Sequence, residues 1–155
     1  GGVLVLLLTL LVGEQTYNGA GDAVIRAMLA GETIPEAFLL KILFTAVTLG
    51  AGFRGGEIVP TFFIGAAFGS AVAPLLGLEP AFGAAVGLIA LFCGVVNCPL
   101  ASILLSVELF GGGSIVFFAL ACALSYLLSG RFSLYSSQKL VYSKLEPRYI
   151  DASAR

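Results

Sequence analysis

The feature of this chain that most constrains its fold is a run of nineteen residues, 58–76, that contains no charged side chain. As a helix, this run would be about 28 Å long, which is about the thickness of the hydrocarbon core of a bilayer. Of the 155 residues, 59% are hydrophobic and 11% are charged, and the mean hydropathy is +1.04. Soluble domains usually carry about 25% charged residues. The sequence therefore predicts a membrane protein that crosses the bilayer several times.

Several classes of function are disfavoured by the residues that the chain lacks. It contains no histidine, which is the commonest general base and metal ligand. Its three cysteines, Cys93, Cys98 and Cys122, lie in apolar runs without CxxC spacing, so we interpret them as small packing residues. The net charge of −1 gives no indication of nucleic-acid binding. We therefore expect no enzyme, no metal site, no cofactor and no nucleic-acid partner.

The apolar runs are short and are punctuated by glycine and proline. They predict helices at residues 22–30, 34–49, 58–76 and 115–128, and two shorter helices within 82–109. The run 82–109 is expected to break at Asn97-Cys98-Pro99, because the residue before a proline avoids helical geometry. Thr33 and Glu36 have the spacing of a capping box for the second helix. Ser114 is the expected N-cap of the final helix.

The two ends of the chain have a different character. Residues 3–12 are half the length of a membrane span, so we interpret them as the tail of a span and the chain as a fragment. A loop is predicted at residues 13–21, a short amphipathic helix at 138–145 and the start of a tail at 146–155. Basic residues concentrate near the C-terminus, which predicts a cytoplasmic C-terminus; they are Arg131, Lys139, Lys144, Arg148 and Arg155.

Two pairs of glycines are spaced four residues apart, Gly65 with Gly69 and Gly83 with Gly87. Such pairs allow helices to approach closely in lipid, so we expect them to pack helices together. Lys41 lies inside the predicted second helix, and its amine is close enough to the helix start to reach the membrane interface. Repeated breaks at membrane depth are tolerated where they line a cavity, and they indicate a substrate pathway.

Glu57 lies between two hydrophobic helices, in the break that also contains Gly55 and Gly56. A carboxylate at membrane depth costs about 2.5–3.5 kcal/mol on insertion scales, which makes it a functional candidate. The N-terminus of the following helix offers free N–H groups and partial positive charge, and the two glycines leave the backbone bare. The break is therefore a predicted small-anion site, in which Glu57 competes with the anion or carries a proton. The alternative is that Glu57 caps the helix dipole, with Arg54 as a suggested partner.

Tyr135 lies in a polar break after the last long helix. Its phenol can donate a hydrogen bond to an anion, or it can belong to the belt of tyrosines at the membrane interface.

Three motifs of this chain resemble motifs of the CLC family of chloride channels and anion/proton antiporters, and they occur in the same order along the chain. Residues 55–60 (GGEIVP) resemble the GGxFxP signature that opens a pore helix and includes Pro60. Residues 97–108 resemble the segment in which a proline opens a helix that ends in glutamate. Residues 134–136 (LYS) resemble the site of the central-pore tyrosine.

The resemblance implies an all-α, multi-pass membrane fold, namely the C-terminal half of the CLC inverted repeat with short, tilted and broken helices, over residues 1–155. It implies an anion held by the backbone N–H groups of Glu57 and Ile58 and by the Tyr135 hydroxyl, with Gly55, Gly56 and Pro60 as supporting backbone. The family's other ligand segments and its gating glutamate do not occur in this chain, which implies a missing N-terminal half. The family also implies a homodimer in the inner cell membrane.

The third position of the first motif is usually apolar in chloride-type members, and here it is Glu57. This substitution, with GFRGGEIVP and NCPLAS, resembles the bacterial fluoride/proton antiporter branch. Fluoride is small and strongly hydrated, so its carrier needs strong donors, and a protonated glutamate is one. Fluoride/proton antiport is therefore the expected activity, with proton coupling through Glu57. A chloride channel or chloride/proton antiporter, and a membrane scaffold without transport, are the alternatives.

Overall fold

A computed structural model describes residues 2–53, 55–135, 137–144 and 149–153. Within these residues the chain is mostly helical, as predicted. Its helices are α1 (Gly2–Val12), α2 (Asp22–Leu29), α3 (Ala37–Gly50), α4 (Ile58–Val72), α5 (Pro80–Val96), α6 (Pro99–Phe110) and α7 (Ile115–Leu128). Short 3-10 turns extend α4 (Ala73–Leu76) and precede α7 (Gly112–Ser114).

The continuous helical stretch Ile58–Leu76 matches the run from which the membrane prediction was made. Among the described residues, it is the one helical stretch that is both long enough and apolar enough to cross a bilayer by itself. The other apolar helices have between 10 and 17 residues. The chain divides into two compact units, Gly1–Leu88 and Ile89–Arg155, and α5 begins in the first unit and ends in the second.

In the first unit, α4 packs against α2 and α3 through the aromatic side chain of Phe63, which is fully buried. Tyr17, from the loop after α1, lies edge-on to Phe63 with ring centroids 6.2 Å apart, and it also contacts Phe44 of α3 at 5.9 Å. Aromatic pairs at such distances stabilise by about 0.5–1.5 kcal/mol beyond the area that they bury. This cluster fixes the loop and α3 against the N-terminal half of α4.

The four glycines singled out in the sequence meet where α4 crosses α5. A Cβ at Gly65 would lie 2.6 Å from the carbonyl oxygen of Gly87, and a Cβ at Gly69 would overlap the carbonyl oxygen of Gly83. Only glycine permits this approach of the two backbones, so the predicted packing role of both pairs is confirmed.

In the second unit, α5 packs against α7 through small polar groups. Cys93 and Cys122 are buried there, and the thiol of Cys93 donates to the Cys122 carbonyl at 3.4 Å. The Ser125 hydroxyl donates to the carbonyl of Ala90 at 2.6 Å. These contacts confirm the packing role predicted for the two buried cysteines, while Cys98 lies at the N-cap position of α6.

The predicted break at Asn97 is confirmed, and its backbone explains why it is an asparagine. Asn97 has a positive φ of 63°, which asparagine tolerates better than most residues. Its side chain is buried, and its carbonyl Oδ1 accepts a hydrogen bond from the Lys144 ammonium.

The amphipathic helix predicted at residues 138–145 is wrong. Strand β1 (Lys139–Tyr142) forms there and pairs antiparallel with β2 (Tyr149–Ser153), with Lys139 opposite Ser153. The β-branched and aromatic residues Val141 and Tyr142 favour a strand once a partner is available. The expected tail at the C-terminus is wrong for the same reason, because Tyr149–Ser153 supplies that partner. Residue 145, the last residue of the predicted helix, lies outside the described residues.

The capping box predicted at Thr33 and Glu36 is also wrong. Helix α3 begins at Ala37 rather than near Ile34, and its N-cap residue Glu36 makes no side-chain capping hydrogen bond. The physical reason is Pro35, which keeps Ile34 out of helical geometry and delays the start of the helix. Ser114 occupies the predicted N-cap position of α7 but likewise makes no side-chain capping bond.

The glycine crossing generates a stability prediction for the complete protein. Gly69→Ala should lower the free energy of unfolding by about 1–3 kcal/mol, because the added methyl overlaps the α5 backbone. Thermal unfolding in detergent measures the loss. Gly50→Ala is the matched control, since no atom lies within 4 Å of its added Cβ. Equal melting temperatures for both variants would contradict the close crossing.

Candidate anion-binding site

The break between α3 and α4 begins with a Schellman ending of α3. Gly52 has a left-handed φ of 83°, its N–H donates to the Leu49 carbonyl at 2.9 Å, and the N–H of Phe53 donates to the Thr48 carbonyl at 3.3 Å. These two bonds satisfy carbonyls that would otherwise be exposed at the helix end. The chain then continues through Gly55 and Gly56, beside which there is open space within 4 Å of an added Cβ.

Glu57 is the N-cap residue of α4, and its side chain makes no capping hydrogen bond. Its backbone carbonyl accepts from the Thr61 N–H at 3.2 Å and from the Thr61 hydroxyl at 2.8 Å. Within the part of the chain that the structure describes, the backbone N–H groups of Ile58 and Val59 have no acceptor, as is normal for a first helical turn. The Glu57 side chain therefore forms no hydrogen-bonded cap there, and its interaction with the helix dipole stays a prediction. Arg54, its suggested partner, lies outside the described residues.

The same break lines a cavity of about 780 Å³ within the first unit. Its wall combines apolar side chains of α1 and α3, the loop after α1, and the start of α4; examples are Val5, Tyr17, Phe44, Thr48, Glu57 and Pro60. The volume lies in the range of small-ligand pockets. A mostly apolar cavity beside a helix N-terminus suits a small anion that has lost part of its water.

Lys41 also lies in the wall of this cavity, and its sequence-based interpretation is wrong. Its side chain is 1% exposed rather than extended to the interface. The ammonium donates to the carbonyls of Tyr17 at 3.1 Å and Gly19 at 2.7 Å, and it lies 4.9 Å from the ring centroid of Phe63. The loop folds over α3 and presents these carbonyls, so the lysine is satisfied without leaving the protein. The sequence feature that could have indicated this buried lysine is that Lys41 is the one charged residue of α3.

Tyr17 places a phenol in the same wall, in the loop after α1. Burial raises the pKa of the Tyr17 phenol above its ordinary value, and the nearby charges of Glu14 and Glu36 raise it further. The group is therefore a neutral hydroxyl at physiological pH and adds no negative charge to the cavity.

Tyr135 belongs to the second unit, in a turn fixed to α5. The N–H of Leu134 donates to the Val95 carbonyl at 2.8 Å, and the Ser133 hydroxyl bonds to Gln138 at 2.7 Å. The Tyr135 side chain is 45% exposed. The third residue of the predicted motif, Ser136, lies outside the described residues. Glu57 and Ile58 belong to the first unit, so a site that they share with Tyr135 stays a prediction.

Comparison with known proteins gives concordant results. Residues 1–130 match the voltage gated chloride channel family. The chain is 39% identical over 150 residues to the "Chloride/fluoride channel protein" of Pseudomonas syringae pv. tomato, covering 93% of this chain and 33% of the relative. It is 33% identical over 120 residues to the "H(+)/Cl(-) exchange transporter ClcA" of Vibrio parahaemolyticus, covering 70% of this chain and 25% of the relative.

A solved structure is also similar, namely the crystal structure of a CLC-type fluoride/proton antiporter. The TM-score is 0.81 at 34% identity, and the match covers 86% of this chain and 34% of the other. The fold expected from the sequence motifs is thereby confirmed. The chain spans about one third of the length of the first of these relatives and of the solved structure.

The uncapped carboxylate generates a stability prediction. Glu57→Gln should change the free energy of unfolding of the complete protein by less than about 0.5 kcal/mol, because no hydrogen bond of the described fold depends on its charge. Thr61→Val is the comparison, since it removes the hydroxyl bond to the Glu57 carbonyl and should cost about 1 kcal/mol. Thermal unfolding measures both, and a larger loss for Glu57→Gln would restore the capping role.

Proposed function

Because the chain belongs to the voltage-gated chloride channel (CLC) family, we propose that the complete protein exchanges fluoride for protons across the cell membrane. Membership of this family makes the protein a membrane protein. The anion is held by the backbone N–H groups of Glu57 and Ile58 and by the Tyr135 hydroxyl. Glu57 carries the proton, and Gly55, Gly56 and Pro60 shape the backbone around it. The protein is a transporter rather than an enzyme.

The observation that carries this proposal is the uncapped carboxylate of Glu57 beside a cavity. Glu57 stands at the first turn of α4, where the amides of the helix favour negative charge. When ionised, the carboxylate occupies that favourable position; when protonated, it becomes a donor to the anion. One residue can therefore be proton carrier and anion ligand in turn. The names of the Pseudomonas relative and of the solved antiporter, which both include fluoride, support the choice of anion.

Chloride is the second candidate anion. The Vibrio relative, at 33% identity, is named as an exchanger of protons and chloride. The same helix N-terminus would hold either halide, because its amides recognise charge rather than element. A scaffold without transport is disfavoured, because packing alone accounts for neither the cavity nor an uncapped glutamate in its wall.

The proposed orientation in the membrane is based on the distribution of basic residues, and the proposed homodimer is based on the family. The concentration of lysine and arginine after residue 130 favours a cytoplasmic C-terminus. We propose the inner cell membrane as the location. The exposed apolar faces of α1, α6 and α7 face lipid or further protein. We take the complete protein to be a homodimer in which each subunit has its own pathway.

Anion efflux from liposomes tests the proposed activity. The complete protein should release fluoride from vesicles loaded with potassium fluoride, and a pH-sensitive dye should report protons moving in the opposite direction. Vesicles without protein and vesicles loaded with chloride are the controls. Release of chloride but not fluoride would establish the chloride alternative, and release of neither anion would favour the scaffold.

Proton coupling tests the role of Glu57. Glu57→Gln should abolish proton movement driven by a fluoride gradient, because the amide cannot exchange a proton. Proton flux at the wild-type rate in a folded Glu57→Gln protein would refute the assignment. Glu79→Gln, in the connection between α4 and α5, is a matched control that should leave the flux unchanged.

A further inference from the structure

The cavity beside Glu57 contains a buried cation that the proposed transport does not yet use. Lys41 lies in its wall, and its side chain is 1% exposed. Among the described residues, no carboxylate forms an ion pair with its ammonium. The ammonium is satisfied by two neutral carbonyls, of Tyr17 and Gly19. Its positive charge is therefore held in place without being neutralised.

Burial of an unpaired charge is unfavourable, and a purely structural contact does not require it. A serine, glutamine or water can satisfy loop carbonyls without the cost of desolvating an ammonium. Ionisable groups inside membrane helices are retained mainly where they act on a substrate or an ion. The two carbonyl bonds also prevent the snorkelling that a lysine of α3 would otherwise adopt. The arrangement keeps the charge at the depth of the cavity.

Among the described residues, the cavity wall contains one cation, Lys41, and one carboxylate, Glu57 at the start of α4. Outside the wall, Glu14 and Glu36 lie close enough to raise the pKa of the Tyr17 phenol. Tyr17 itself is neutral. A low-dielectric wall lets the charge of Lys41 act over the whole cavity.

We propose that Lys41 is a positioning residue for the anion: it supplies a fixed positive potential that raises the occupancy of the cavity beside the N-terminus of α4. The inference rests on the proposed anion transport. Lys41 acts through its field and not as a direct ligand, since two of its three N–H donors are used by the loop and its side chain is almost wholly covered. It strengthens the same proposed site, at the backbone N–H groups of Glu57 and Ile58.

The test is the dependence of the initial fluoride efflux rate on internal fluoride concentration, with the complete protein in liposomes at fixed pH. Lys41→Gln retains N–H donors for the loop carbonyls but removes the charge. Its KM should rise about tenfold, the size expected for a unit charge acting across a cavity on the order of 10 Å wide at intermediate dielectric constant, with kcat changed less. Lys41→Arg retains the charge and should keep KM within about threefold of the wild type.

A second pair of variants tests the charge without changing Lys41. Thr45 lies one helical turn after Lys41 on α3 and also lines the cavity. Thr45→Glu should raise KM, and Thr45→Lys should lower it. Lys139→Gln is the matched control, since Lys139 is exposed on β1 in the second unit, and its KM should equal that of the wild type.

The outcomes separate the two proposals. A wild-type protein that releases neither fluoride nor chloride refutes the proposed function. A wild type that transports, with folded Lys41→Gln at wild-type KM, refutes only the role of Lys41. Equal loss of thermal stability in Lys41→Gln and Lys41→Arg, with KM unchanged in both Thr45 variants, would make Lys41 an anchor for the loop and also overturn the inference. If Lys41→Gln does not fold, the opposite shifts in the two Thr45 variants decide.

Discussion

The structure depends on satisfying backbone polar groups wherever a helix is interrupted inside a membrane. In hydrocarbon, each N–H or C=O without a partner costs several kcal/mol, so an irregular segment must find acceptors and donors within the protein. Among the described residues, different groups satisfy these backbone atoms at different interruptions. The left-handed conformation of Gly52 closes the end of α3, and the ammonium of Lys41 donates hydrogen bonds to the loop carbonyls of Tyr17 and Gly19. At the start of α4, the backbone N–H groups of Ile58 and Val59 have no acceptor among the described residues.

The end of α5 shows the same principle in the second unit. Asn97 takes the left-handed conformation that ends the helix, and Lys144 donates to its side chain, to the Tyr126 carbonyl and to the Ser129 hydroxyl, the last two at 2.8 Å. A cation at the C-terminal end of α7 also complements the negative end of the helix dipole. Burial lowers the pKa of the Lys144 ammonium. Both lysines therefore donate hydrogen bonds to backbone carbonyls near an interruption of the helices.

The helices and breaks could be predicted because they depend on local chemistry. Proline before α6, glycine after α3 and the spacing of Gly65 and Gly69 act within one or two turns of the chain. The errors arose where a distant partner decides the outcome. Strand β1 requires β2, and the buried position of Lys41 requires a loop more than twenty residues earlier in the sequence. The sequence identified Glu57 correctly as the residue at the break, but the cavity beside it depends on α1 and α3 together.

Lys41 and Glu57 together give the cavity a property that neither residue has alone. With Glu57 ionised, the wall formed by the described residues contains one cation and one carboxylate, and an entering anion meets a repelling carboxylate at the helix terminus. A proton bound to Glu57 removes that repulsion, while the positive charge of Lys41 remains. If both residues have the proposed roles, a bound proton raises the affinity for the anion. A bound anion raises the affinity for the proton by the same factor, because one coupling free energy governs both effects. Such coupling needs no conformational signal between separate sites. It arises because a fixed cation and a titratable carboxylate share one low-dielectric cavity.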